Sequence, residues 1–238
     1  MGPSPPSSLR EGGNFPAWVA SLRGLFSLVL GSLFSGRADS TVHLRAADFG
    51  VDSDFIWIRL EEKGKRHLVV RRVVRLPLRC HPVEGEPSAL PRVAELARAW
   101  LRVREEVWGA AATEWLLQLP GETRPTTRMF ESWFMSVLER LSVRAPHGFA
   151  YLAHSVRSGA ASAQAAIGVP RHIYVWVGGW ARGSSVVDRT YIDPTVLPSP
   201  AAYRLYGWLL SRQYEAGSGV VARFQPLLDP LLEGTSDV

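Results

Sequence analysis

His154-Ser155-Val156-Arg157 sets a histidine and an arginine three residues apart. On a helix that spacing puts both side chains on one face. Gly178-Gly179-Trp180 and Tyr191-Ile192-Asp193 follow. Each residue type has a use at a phosphodiester. A guanidinium grips non-bridging oxygens through forked, charge-assisted hydrogen bonds. A histidine moves a proton near neutral pH. A tryptophan donates its indole N–H and packs the site. A tyrosine oxygen is a nucleophile able to form a covalent intermediate. A second arginine, Arg37, follows the turn-like pair Ser35-Gly36, 120 residues before Arg157. Between the two arginines, Lys63, Lys65, Arg66, Arg71, Arg72, Arg75 and Arg79 form a run of seven cations with no acid. Uncompensated cations favour contact with a nucleic-acid backbone, sequence-independent and weakened by salt. Lys65, Arg66, Arg71, Arg72 and Arg75 are therefore the candidate DNA-binding residues, with the remainder of the strand as a solvated face.

The order of these pieces resembles the tyrosine recombinase family over roughly residues 17–214. The family pattern is His-x-x-Arg, a Gly-(His/Trp) step about two dozen residues on, and a nucleophilic tyrosine soon after. Trp180 lies 23 residues after Arg157 and Tyr191 lies 11 after Trp180, the second interval longer than the family's commonest spacing. The resemblance also demands an upstream arginine in a Thr-Gly-x-Arg-x-x-Glu-x-x-x-Leu step. Ser35-Gly36-Arg37-Ala38-Asp39-Ser40, with Leu44 and Asp48 beyond, matches that frame as if one residue were lost. Ser40 stands where the family has its glutamate, and Asp39 is the candidate replacement for orienting Arg37. A lysine in a β-hairpin completes the family set. Lys63 is the first choice and Lys65 the alternative. The resemblance thus implies catalytic roles for Arg37, Lys63, His154, Arg157, Trp180 and Tyr191. It implies site-specific DNA strand cleavage and rejoining through a 3′-phosphotyrosine, with no metal or nucleotide cofactor. Residues 154–193 look most like recombinases of DIRS-like retroelements.

Taken singly, every one of these residues has a plainer role as a cap, a surface charge or core packing. Tyr203 and Tyr206 are rival nucleophiles, but both sit on an apolar helical stripe with Leu209 and Leu210 and read as packing. His147, His154 and His172 match no zinc spacing. The alternatives to an active recombinase are a DNA-binding relic of a mobile element and a topoisomerase-like relaxing enzyme.

The surrounding elements must carry these groups. Residues 1–14, rich in Pro, Gly and Ser, read as disordered. A helix over 17–34 buries Trp18, Leu22, Leu25, Phe26 and Val29 near one face, and Ser35-Gly36 stops it. A short helix after Arg37 turns Val42 and Leu44 inward. Strands over 54–60 and 68–76 flank the turn Glu61-Glu62-Lys63-Gly64-Lys65. Ser88 caps a helix over 91–107, and residues 109–125 form a short apolar segment and a loop. Thr127 opens an amphipathic helix with Phe130, Trp133, Phe134, Val137, Leu138 and Leu141 as its core stripe. Residues 154–167 are helical and end at Gly168. A short helix follows over 170–177, residues 184–192 form a short helix or turn, and Tyr203–Tyr214 is the last helix.

The fold expected is α+β, mainly α: a tyrosine recombinase catalytic domain with a small antiparallel sheet. Its bounds are 15–215, between a disordered N-terminus and a C-terminal tail over 216–238. The chain has 238 residues, 46% hydrophobic and 21% charged, which suits one globular domain. Its net charge of +5 fits a polyanionic partner, here double-stranded DNA. The single cysteine, Cys80, excludes an intramolecular disulfide and a Cys-rich zinc site. No stretch reads as a membrane span or a secretory signal, so the expected setting is intracellular: nucleus in a eukaryote, cytoplasm or nucleoid in a bacterium. The family adds an N-terminal helical domain that closes a clamp on DNA. About 15 residues precede the first helix here, which fits a fragment or degenerate copy that binds DNA weakly when isolated. Family members act as tetramers on paired sites, and Tyr203–Tyr214 is the candidate contact for self-association.

Overall fold

The computed structural model describes residues 15–63, 69–181 and 183–210, with the side chains of 15–16, 61–63 and 69–72 left aside. The expected disordered N-terminus and the 216–238 tail lie outside the described residues. Helix α1 (Phe15–Leu33) is the central rod, touching α2 (Ala38–Val42), α3 (Leu90–Arg102), α4 (Thr127–Arg140) and α5 (Ala153–Ala166). Gly24 and Gly31 let these helices come close. A Cβ at 24 would lie 3.1 Å from Val137, and one at 31 would lie 3.2 Å from Val156 and 3.3 Å from Phe130.

The sheet is three-stranded and antiparallel in the order β1 (Phe49–Val51), β2 (Phe55–Lys63), β3 (Val69–Pro77). Its inward row includes Ile56, Ile58, Val74 and Leu76, all buried. Strand β1 went unforeseen, and β2 runs on through Glu61, Glu62 and Lys63, which the sequence assigned to a turn. Pairing explains the extension: Glu61 stands opposite Arg71 and Lys63 opposite Val69. The backbone ladder runs on in register over residues that composition alone reads as a loop.

Helix α3 is shorter than expected. A π-helical turn, Val103–Trp108, continues it, and Ala89 rather than Ser88 holds the capping position. Ser88 still helps, since its Oγ accepts from Leu90 N–H at 3.2 Å. Arg104, buried at the end of this segment, donates to the carbonyls of Trp115 and Leu116 at 3.0 Å each and to Thr113, and so organises the loop that follows. Trp100 seals the core beneath it, with its indole N–H on the Leu116 carbonyl at 2.9 Å.

Helix α4 keeps Phe130, Trp133, Phe134 and Val137 buried, but it ends at Arg140, so Leu141 falls past the stripe and is 62% exposed. Helix α6 spans Arg171–Val177. The last helix starts earlier than expected, α7 at Pro200–Tyr206, because Ser199 caps it by accepting from Ala202 N–H. A 3₁₀ turn, Gly207–Leu210, continues it, and residues 211–214 lie outside the described ones. Among the described residues, no helix is long and apolar enough to cross a membrane.

Two helix ends depart from their usual chemistry, Ser142 past α4 at φ +55° and Ser35 past α1. Past α1, Ser35 N–H bonds to Ser32 O and Gly36 N–H to Gly31 O, the Schellman pattern that closes many helices. The left-handed position of that motif normally holds glycine. Here it is Ser35, at φ +45° and fully buried. A non-glycine residue in that region costs roughly 1 kcal/mol.

Candidate active site

Helix α5 carries two of the candidate groups. Its first-turn donors are satisfied locally: Leu152 N–H donates to Ser155 Oγ at 3.0 Å and Ala153 N–H to Glu131 Oε1 at 3.2 Å. His154 is exposed in that first turn. Arg157, three residues on, is 1% exposed and donates from Nη1 to the carbonyl of Ser35.

Trp180 arrives from the end of α6. Its N–H bonds to Val175 O at 2.9 Å, and its ring folds back over Gly178, where any side chain would overlap it. The ring then lies 3.8 Å from the Arg157 guanidinium carbon, a close cation–π contact. Gly178→Ala is expected to drive Trp180 off Arg157 and to destabilise the protein by about 1–3 kcal/mol, the scale of overpacking. Denaturant melts of the variant check this, and an unchanged midpoint would contradict it.

Tyr191 ends a π-helical turn, Val187–Tyr191, a rare element that often marks functional sites. Its ring centroid lies 4.7 Å from that of His154, 5.1 Å from that of Trp180 and 5.2 Å from the Arg157 guanidinium carbon. The segment is tied down at two points. Arg171 grips Asp188 with two nitrogens and donates to Ser184 O at 2.7 Å. Ser162 Oγ donates to Tyr191 O at 3.0 Å and accepts from Asp193 N–H at 2.8 Å.

Arg37 is the exposed residue that opens α2. Although its side chain is largely exposed, His154 is held below the ordinary histidine value first by partial desolvation against its neighbours, then by the charges of Arg157 and Arg37. The charge of Arg37 therefore reaches His154. Asp39 does not take the orienting role suggested for it, because its carboxylate pairs with His43 Nδ1 at 3.1 Å. Tyr206 is buried, donates to Ser32 O at 3.1 Å, and has its phenol pushed up by burial. Tyr203 is half-buried against the core.

The hairpin cations are located less completely. Lys63 closes β2, and Arg71 and Arg72 lie in β3, described as backbone positions only. Lys65 and Arg66 lie outside the described residues. Arg75 sits 5.9 Å from the Phe55 ring. Among the described residues, no group of three or more His, Cys, Asp or Glu is placed to hold a metal ion.

Several residues near the site carried no sequence signal. Ser162 looks like one small residue in an Ala-rich helix. Arg171 and Asp188 are 17 apart and meet only in the fold. The exposed Arg45 and Arg124 lie 5.6 and 4.4 Å from the ring of Trp115, a meeting that only tertiary structure makes.

The mainly helical body with its small antiparallel sheet has the catalytic-domain fold of tyrosine recombinases. The similar solved structures include the XerH site-specific recombinase bound to its difH substrate in a pre-cleavage complex, with TM-score 0.51, 14% identity, and cover of 72% of this chain and 43% of that one. XerH in a post-cleavage complex with palindromic difH gives TM-score 0.54 and 17% identity, with cover of 83% of this chain and 45% of that one. At such identity the likeness is one of fold, and the chain spans less than half the length of those proteins. No family model matches the sequence, and no curated protein matches it either.

Proposed function

We propose that this chain cleaves and rejoins DNA strands, with Tyr191 as nucleophile. One observation carries the reading: the Trp180 and Tyr191 rings cover the Arg157 guanidinium and the His154 ring lies against Tyr191, while the charge of Arg37 reaches the same histidine. In the proposed step Tyr191 Oη attacks the phosphorus, its proton passes to His154, and the bond from phosphorus to the 5′-oxygen breaks. Lys63, or Lys65 in its place, returns a proton to that oxygen. The phosphotyrosine conserves the bond, so the reverse reaction reseals the strand. Arg37 and Arg157 neutralise charge on the non-bridging oxygens. Because Arg157 is covered by the Trp180 and Tyr191 rings, the phosphate reaches it only as those rings shift, which fits a site that tightens on its substrate. The DNA-bound state of the XerH neighbours supports double-stranded DNA as the partner. The hairpin cations, with Arg45 and Arg124, would hold its backbone. Self-association on paired sites through the segment after Ser199 belongs to the same reading.

The test is a nicked duplex whose short 5′-fragment diffuses away after cleavage and traps the covalent complex. An adduct mapping to the Tyr191 peptide is the expected result. A second reading, a DNA-binding relic without turnover, is favoured by Ser40 at the family's glutamate position and by the diversion of Asp39 to His43. Salt-sensitive DNA binding with no adduct on any substrate would establish it.

The state of His154 sets the pH dependence. A histidine held below its ordinary value is neutral at pH 7 and ready to accept the tyrosine proton. Cleavage should rise with pH on an acidic limb that lies below the ordinary histidine midpoint, and His154→Gln should remove that limb. Stability follows the same sign. The unfolded chain binds the proton more readily, so stability rises with pH between the lowered midpoint and the ordinary one and is lost as pH falls through that window. Cleavage rates across pH 5–8 check the claim, and a limb centred above the ordinary midpoint would contradict it.

A further inference from the structure

The turn at Ser35 has more attachments than a helix stop requires. Its carbonyl accepts from Arg157 Nη1, and its hydroxyl accepts from Gln164 Nε2 at 3.0 Å. Both donors lie on α5, seven residues apart and so on one face. Ser35 and Gln164 are fully buried. The other amide atom of Gln164, Oε1, has no hydrogen-bond partner among the described residues. A buried amide that satisfies only one of its two ends is costly, and an apolar side chain would fill the space without that cost. A serine held in left-handed backbone where glycine is the ordinary choice is costly as well. The two costs meet in a single hydrogen bond, between α5 and the turn that ends two residues before Arg37.

We infer that Ser35, clamped by Gln164, is a positioning residue that fixes the turn bearing Arg37 against the helix bearing His154 and Arg157, so that both guanidiniums address one phosphate. The inference rests on the function proposed above for the same site. Arg157 is held directly, by the Ser35 carbonyl. Arg37 is held indirectly, because Ser35 and Gly36 set the direction in which the chain enters α2. A Cβ at 36 would come within 3.0 Å of Thr41 Oγ1, so that path has little slack.

Ser35→Gly deletes the hydroxyl while relieving the left-handed strain, so the fold should survive it. Gln164→Leu deletes the donor. His154 reports where the arginines stand, because Arg157 and Arg37 both hold its midpoint down and Tyr191 is its aromatic neighbour. Its NMR titration is assigned by the signal lost in His154→Gln. In each single variant the His154 midpoint should rise, and the double variant should shift it no further than the larger single effect. Cleavage of the nicked duplex at saturating DNA should slow by about tenfold to a hundredfold, the scale of a misplacement of up to about 1 Å, with DNA affinity unchanged. An unmoved His154 midpoint in both variants overturns the inference, and so does a fall in melting temperature as the only effect. If the wild-type chain forms no adduct on any substrate, the proposed function fails by itself, and the titration still decides whether Ser35 positions the arginines.

Discussion

Tyr191→Phe should abolish the covalent DNA adduct and leave the fold unchanged. Phenylalanine keeps the ring that packs 4.7 Å from His154 and 5.1 Å from Trp180. The hydrogen bonds that hold this residue involve its backbone carbonyl, bound by Ser162, and that bond survives the change. Only the nucleophilic oxygen is removed. Loss of a nucleophile typically costs on the order of 10⁴-fold or more in turnover. Rescue by a neighbouring tyrosine is not expected. Tyr206 is buried with its hydroxyl on the Ser32 carbonyl, and burial raises its phenol, so its anion is disfavoured. Gel detection of the adduct on a nicked duplex, with thermal melts of both proteins, checks the prediction. An adduct that survives in Tyr191→Phe would remove Tyr191 from the mechanism.

The residues of α5 and the segment after it were legible because their relations are local. His154 and Arg157 share a helix face by spacing alone, and Trp180 and Tyr191 follow within a few turns of chain. The strands of the hairpin were legible from their β-branched and aromatic residues. Their ends were not, since Glu61 to Lys63 read as turn residues until the register sets Glu61 against Arg71. Strand β1 escaped notice because three residues, one of them glycine, carry no period. Leu141 kept the right period but fell beyond the last helical residue. The supports of the site were illegible for a different reason. The bond between Ser35 and Gln164 spans 129 residues, and Ser162 acts on a carbonyl 29 residues away. Such pairings leave no pattern in a window of sequence. The orienting role suggested for Asp39 came from its place beside Arg37, but on a short helix its carboxylate meets His43 one turn later.

Arg37 and Arg157 should separate in their effects although both are assigned to the same phosphate. Arg37 is exposed, and no hydrogen bond or ion pair of its side chain appears among the described residues. Arg37→Ala should leave the melting temperature unchanged and lower cleavage by about 10²–10³-fold, the cost of one preorganised donor at a developing charge. Arg157 is buried under Trp180 and holds the carbonyl of Ser35. Arg157→Ala should therefore lower cleavage at least as far and also destabilise the protein by about 1–3 kcal/mol, because the buried Ser35 carbonyl loses its charged donor. Arg157→Lys should recover part of the stability and little of the rate, because an ammonium lacks the planar fork that both bonds the carbonyl and stacks on the indole. Thermal melts paired with single-turnover cleavage of the nicked duplex distinguish the two sites. Equal losses of stability in Arg37→Ala and Arg157→Ala would show that Arg37 has a structural role, and the assignment of an exposed, phosphate-facing Arg37 would then fail.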